Sequence, residues 1–222
     1  MAAISNLHEI VERVRESFDA RNAARDQALA RSRELIRYCA QSIRAVHREE
    51  FPAALRLLEK ARELSGQLKG DLADFPDIYH AGYTQDALKE FVEASATYAL
   101  IRGQDLPEPE ALDVEHHTYL RGLAEAVGEL RRHTVDRIRL GQIGRGNALL
   151  EMMDEIYDVL VSMDYPDAIT AGLRRLTDVA RGVTERTRGD LMVAARQEKL
   201  ESALARVEGR INRLSASDAE AG

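Results

Sequence analysis

Two short stretches carry the residues best suited to chemistry. Ala87-Leu-Lys-Glu-Phe-Val-Glu-Ala94 holds Glu90 and Glu93, three apart, and Gly122-Leu-Ala-Glu-Ala-Val-Gly-Glu-Leu130 holds Glu125 and Glu129, four apart. Read as helices, both spacings put the two carboxylates on one face. Glu93 sits among Phe91, Val92 and Ala94, an apolar neighbourhood it cannot easily leave. Four converging carboxylates repel one another unless protons or cations neutralise them. With no histidine in the set, the donors suit a hard divalent ion, Mg2+ or Mn2+. Such an ion activates water and stabilises a leaving oxygen in phosphodiester cleavage. Spacing alone fits a plainer arrangement better, in which the four are surface acids paired with arginines and Lys89.

Other chemistries lack their parts. His116 and His117 are adjacent and so point apart on a helix, and no Gly-x-Ser-x-Gly is present. Neither Gly-x-x-x-x-Gly-Lys nor Gly-x-Gly-x-x-Gly occurs, which sets aside the common phosphate-cradling folds. A di-iron carboxylate bundle needs Glu-x-x-His on two helices. None of His8, His47, His80, His116, His117 and His133 has a glutamate three residues upstream. Cys39 is the sole cysteine, so neither an intrachain disulfide nor a multi-cysteine metal site is available, and a reducing cytoplasm is expected. The early Glu9 and Glu12 leave no signal-peptide pattern, and no run approaches the ~20 apolar residues of a membrane span.

Net charge is −7, opposite in sign to a general nucleic-acid-binding surface, although a local groove need not share the sign of the whole. Of the 31 basic residues only Lys60, Lys69, Lys89 and Lys199 are lysine. Arginine suits bidentate contacts to phosphate; the same bias also arises from a high-GC or salt-adapted composition.

The elements that must position the acids read as helices throughout, giving an all-α chain. Residues 4–49 form one very long helix with Ser5 as a candidate cap and a polar stretch from Asp19 to Asp26. On it Arg33, Arg37, Arg44 and Arg48 follow steps of four, seven and four, one stripe that is either a solvated face or a rail for phosphates. Further helices are expected over 52–69, 77–101, 113–140 and 147–163, with one or two more over 167–213. Residues 103–110, with Pro107 and Pro109, read as a loop, and Gly141, Gly144 and Gly146 as a tight turn. The expectation is one helical domain over 1–214, of about seven helices, and a flexible tail over 215–222.

Glu90-Phe-Val-Glu93-Ala94, followed by Tyr119-Leu-Arg-Gly-Leu-Ala-Glu-Ala-Val-Gly-Glu-Leu-Arg-Arg132, resembles the translin and translin-associated factor X family. Leu112-Asp-Val-Glu115 resembles translin, and His47-Arg48 resembles the matching helix of translin-associated factor X. The likeness runs from about residue 20 to 210, carried by the order and spacing of these segments. It implies a translin-like bundle of about seven helices that assembles into a hollow octamer and binds single-stranded RNA and DNA. Factor X members are metal-dependent endoribonucleases, and their acidic quartet falls on Glu90, Glu93, Glu125 and Glu129 as Mg2+ or Mn2+ ligands. Translin lacks the full first pair, which this chain has. Glu125 stands where the family pattern usually has aspartate and reaches about one methylene further. The resemblance also makes Arg33, Arg37, Arg44, Arg48, Arg131, Arg132 and Arg137 candidates for the nucleic-acid backbone, and His80 and Tyr83 candidates for stacking on bases. A non-catalytic single-stranded nucleic-acid-binding module, and a structural helical protein without nucleic acid, are the alternatives.

Overall fold

The computed structural model describes residues 6–220, with side chains to residue 212, and among these residues it contains nine helices and no strand. They are α1 (Leu7–His47), α2 (Phe51–Asp71), α3 (Pro76–Tyr79), α4 (Gly82–Arg102), α5 (Pro109–Leu112), α6 (His116–Arg139), α7 (Ile143–Val161), α8 (Asp167–Thr170) and α9 (Leu173–Glu220). Six are long, and α3, α5 and α8 are single turns. Pro52, Pro76 and Pro109 each occupy the first turn of a helix, where a missing N–H costs nothing. The expected cap Ser5 lies outside the described residues, as do residues 221 and 222 of the expected tail, whose first part is the end of α9.

α1 packs on α2 and α4, α4 on α6, and α6 on α7 and α9. Two apolar clusters result. One gathers Leu35, Cys39, Ile43, Leu68, Leu88 and Phe91 between α1, α2 and α4. The other gathers Val127, Leu130, Met153, Ile156, Leu160 and Leu173 between α6, α7 and α9. The α4–α6 crossing joins them. There Gly122 allows the backbones to meet: a Cβ on it would lie 2.6 Å from Val92 Cβ and 2.7 Å from the Lys89 carbonyl oxygen.

Only the second half of α1 is packed. Ala28, Ser32, Leu35, Cys39, Ser42 and Val46 are buried at steps of three and four, while Leu7 to Ala23 remain exposed. The segment expected as one helix over 77–101 is two. Ala81 adopts an extended conformation, the Thr84 hydroxyl donates to the Ile78 carbonyl (2.9 Å), and the Gln85 amide donates to the Tyr79 carbonyl (2.9 Å). Side chains thus satisfy the carbonyls that continued helix would have used. α6 starts at His116 rather than 113, because Asp113 takes a left-handed conformation (φ 54°) and Glu115 an extended one. Of the glycines expected to form a turn, Gly141 does so at φ 70°, whereas Gly144 and Gly146 lie inside α7. A Cβ on Gly146 would meet Leu191 Cδ2 at 2.7 Å, so this glycine serves α7–α9 packing. No described helix is long and apolar enough to cross a membrane.

Candidate metal centre

The Gly122 crossing sets the register of the two acidic pairs. One turn beyond it, Glu125 on α6 faces Glu90 and Glu93 on α4, and one carboxylate oxygen from each lies within 4.8 Å of the others. Glu129, a further turn along, lines the same open pocket of about 520 Å3, which α9 closes with Arg175, Leu176, Val179 and Ala180. The geometry brings together three of the four glutamates picked from the sequence; the fourth borders the trio.

The surroundings do not favour three free charges. Burial, then the charges of Glu90, Glu125 and Glu129, push the Glu93 carboxyl up to about 8. Burial also raises Glu90, with Lys89 opposing. Beneath them the buried Cys39 thiol is pushed far up by burial and by the neighbouring Glu90 and Glu93 charges. Oxygen donors this close fit a small divalent ion.

Two basic side chains already touch the acids. Lys89 Nζ lies 2.5 Å from Glu125 Oε2 and 3.6 Å from Glu90 Oε1. Against the penalty of burial, the hydrogen bond to Glu125 and the charges of Glu125, Glu90 and Asp86 hold this ammonium above its ordinary pKa. His47, at the end of α1, places Nε2 2.5 Å from Glu129 Oε2. A carboxylate only accepts, so Nε2 carries the proton and the buried Nδ1 is left without a partner. The His47 ring tilts against that of His133 at 5.9 Å. His133 is buried with neither ring nitrogen bonded, and burial together with the Arg137 charge lowers it to about 4.

The basic and aromatic candidates separate into two groups. Arg33, Arg37 and Arg44 are exposed on α1 and Arg48 just after it; Arg37 pairs with Glu34 at 3.0 Å and Arg48 makes two bonds to Glu50. Arg132 is exposed with one nitrogen 3.9 Å from Glu129, and His80 is exposed, edge-on to Tyr79. Tyr83 is half-buried against the α1–α2–α4 cluster. Arg131 spans from α6 to Thr187 and Asp190 on α9. Arg137, expected to face nucleic acid, is instead buried and donates to Glu49 at 2.6 Å and Gln142 at 3.3 Å. It holds the α1–α2 turn, where Glu49 takes φ 60°.

Sequence spacing offered Lys89 as a pairing partner of the acids, which it is, but did not single out His47 or Arg175 as parts of the site. Lys89 and Glu90 are neighbours on one helix, and nothing in that spacing shows that Lys89 reaches across to α6. His47 meets Glu129 across 82 residues of chain.

No family model matches the chain. An uncharacterized protein of Methanocaldococcus jannaschii is 31% identical over 191 residues, covering 85% of this chain and 84% of its own. Among solved structures, AfC3PO, alone and in complex with duplex RNA, is 35% identical with a TM-score of 0.78, over 83% of this chain and 96% of that one. Apo-NeC3PO, at 20% identity and a TM-score of 0.77 over 87% of this chain and 100% of that one, shares the fold. C3PO is a translin-family protein, and this chain therefore belongs to the translin and translin-associated factor X family.

Proposed function

We propose that this protein is a metal-dependent endoribonuclease that acts on single-stranded RNA, and also binds single-stranded DNA, as a hollow homo-oligomer. The observation that carries this is the convergence of Glu90, Glu93 and Glu125 to within 4.8 Å across the α4–α6 crossing. An acid trio with one member pushed to about 8 needs a cation to hold all its charges near neutral pH. Mg2+ or Mn2+ bound there would supply an activated water and Lewis-acid stabilisation of the leaving oxygen. Glu90, Glu93 and Glu125 are its ligands. Glu129, oriented by His47, lies beside the trio and serves to position the attacking water and take its proton.

The RNA class is supported by the similarity to AfC3PO, which has been solved with duplex RNA. The exposed Arg33, Arg37, Arg44, Arg48 and Arg132 are assigned to backbone phosphates and His80 to base stacking, while Arg131 and Arg137 brace the helices that carry the acids. Assembly is supported by two exposed apolar stripes. Leu7, Val11, Val14 and Phe18 on α1, and Leu200, Leu204, Val207 and Ile211 on α9, both follow steps of four, three and four. Such a seam buries its apolar side chains only against another helix.

Cleavage of a labelled single-stranded RNA oligonucleotide with and without Mg2+ tests the reaction. Wild type is expected to cut only with the metal, and Glu93→Gln and Glu129→Ala to lose that activity. Equal cleavage by wild type and Glu129→Ala would sink the site. Retention of RNA without metal-dependent cleavage would select the second reading, a binding module. The Lys89 contacts favour that alternative, since they already neutralise part of the trio.

A further inference from the structure

The acid pocket contains a cation of its own. Lys89 is on the pocket wall, with a side chain only 11% exposed, and its ammonium contacts Glu125 at 2.5 Å and Glu90 at 3.6 Å. Those are two of the three carboxylates whose oxygens lie within 4.8 Å of one another. An ammonium and a divalent ion in contact with the same carboxylate pair repel, and each draws on the same negative charge.

The length of residue 125 belongs to the same arrangement. Glu125 Oε2 reaches Lys89 at hydrogen-bond distance. An aspartate on the same backbone would be a methylene shorter and would leave this half-buried ammonium short of its partner. Lys89 and Glu125 are thus one unit, built across the two helices that carry the acids.

We infer that Lys89 is a resident counter-ion of the acid site that competes with the divalent metal for Glu125, and so sets the metal affinity of this chain. The inference rests on the metal-site reading above. In the metal-free protein Lys89 holds Glu125 and Glu90 together. When the metal binds, Glu125 passes from lysine to metal and the ammonium is released towards solvent.

Mn2+ titration of the full chain at fixed pH, read by calorimetry, tests this without reference to activity. Lys89→Gln and Lys89→Met are expected to bind Mn2+ on the order of tenfold more tightly than wild type, the equivalent of one charge-assisted hydrogen bond no longer competing. Lys89→Arg, which keeps the charge, is expected to remain near wild type. Binding by Lys89→Gln equal to or weaker than wild type, with Mn2+ binding by wild type abolished in Glu93→Gln, overturns the role of Lys89 and leaves the metal site standing. Absence of Mn2+ binding in both wild type and Lys89→Gln overturns both. A measurement on unsubstituted protein guards against a variant that fails to fold. Acetylation of Lys89 by acetic anhydride, followed by mass spectrometry, is expected to rise when Mg2+ is added; unchanged or reduced labelling overturns the inference.

Discussion

Replacing Glu93 by glutamine removes a charge that the fold opposes. In the folded chain the Glu93 carboxyl is raised from 4.5 to about 8, first by burial and then by Glu90, Glu125 and Glu129. A carboxyl raised on folding binds its proton more tightly in the native state, so its contribution is fully present below about pH 4.5 and is lost as pH rises through about 8. At pH 7 the unfolded chain has released this proton and the folded chain mostly has not. The difference amounts to about 3 kcal/mol against folding at pH 7 and close to zero at pH 4. Glutamine has the size of the protonated acid and no charge to lose. Urea unfolding followed by far-UV circular dichroism, in EDTA, gives the stability of wild type and Glu93→Gln at each pH. The offset between them is expected to grow by about 3 kcal/mol in favour of Glu93→Gln between pH 4 and pH 7. Titrating groups away from this acid cluster are common to both proteins and cancel in that difference. An offset that stays constant across the range would refute the placement of Glu93 in a crowded, half-dry acid cluster.

Three further outcomes follow from the same geometry. Gly122→Ala puts a Cβ 2.6 Å from Val92 Cβ and 2.7 Å from the Lys89 carbonyl, so α4 and α6 must part; urea unfolding should show a loss of about 1–3 kcal/mol, with Mn2+ affinity falling too. His47→Ala leaves Glu129 without the imidazole that orients it, so metal-dependent RNA cleavage should fall by roughly tenfold or more while calorimetry shows Mn2+ binding near wild type. Leu204→Glu combined with Val207→Glu puts charge on the exposed α9 stripe, and light scattering should show a smaller assembly than wild type with unchanged helical content.

The long helices were legible because their punctuation is chemical. Proline marks the first turn of α2 and a left-handed Gly103 ends α4, whereas Pro109, read within a loop, starts the single turn α5. The break at His80-Ala81 was not legible, since it depends on Thr84 and Gln85 side chains folding back onto carbonyls six residues earlier. Gly144 and Gly146 misled in the opposite direction. Their type suggests a turn, but both lie in α7, and at Gly146 the missing Cβ leaves room for Leu191. The first case is local side-chain capping, and the second is a glycine used for helix packing and not for a turn.

The candidate site divides along the same line. Within a helix, spacing decides which residues share a face, and this sufficed to pair Glu90 with Glu93 and Glu125 with Glu129. Between helices, register is decided by where the backbones approach most closely, here at Gly122 against Lys89 and Val92. That contact turns two pairs of acids into a trio within 4.8 Å, and it also brings Lys89 onto Glu125. In sequence, Glu125 in place of aspartate reads as a departure from a nuclease pattern. In the fold it becomes half of a lysine–glutamate unit, because the extra methylene spans the distance to Lys89. The same contact therefore gives the departure two opposite consequences. It neutralises the acids when no metal is bound, and it makes the metal compete for its ligand, so the metal affinity of Lys89→Gln separates a working site from a merely neutralised one.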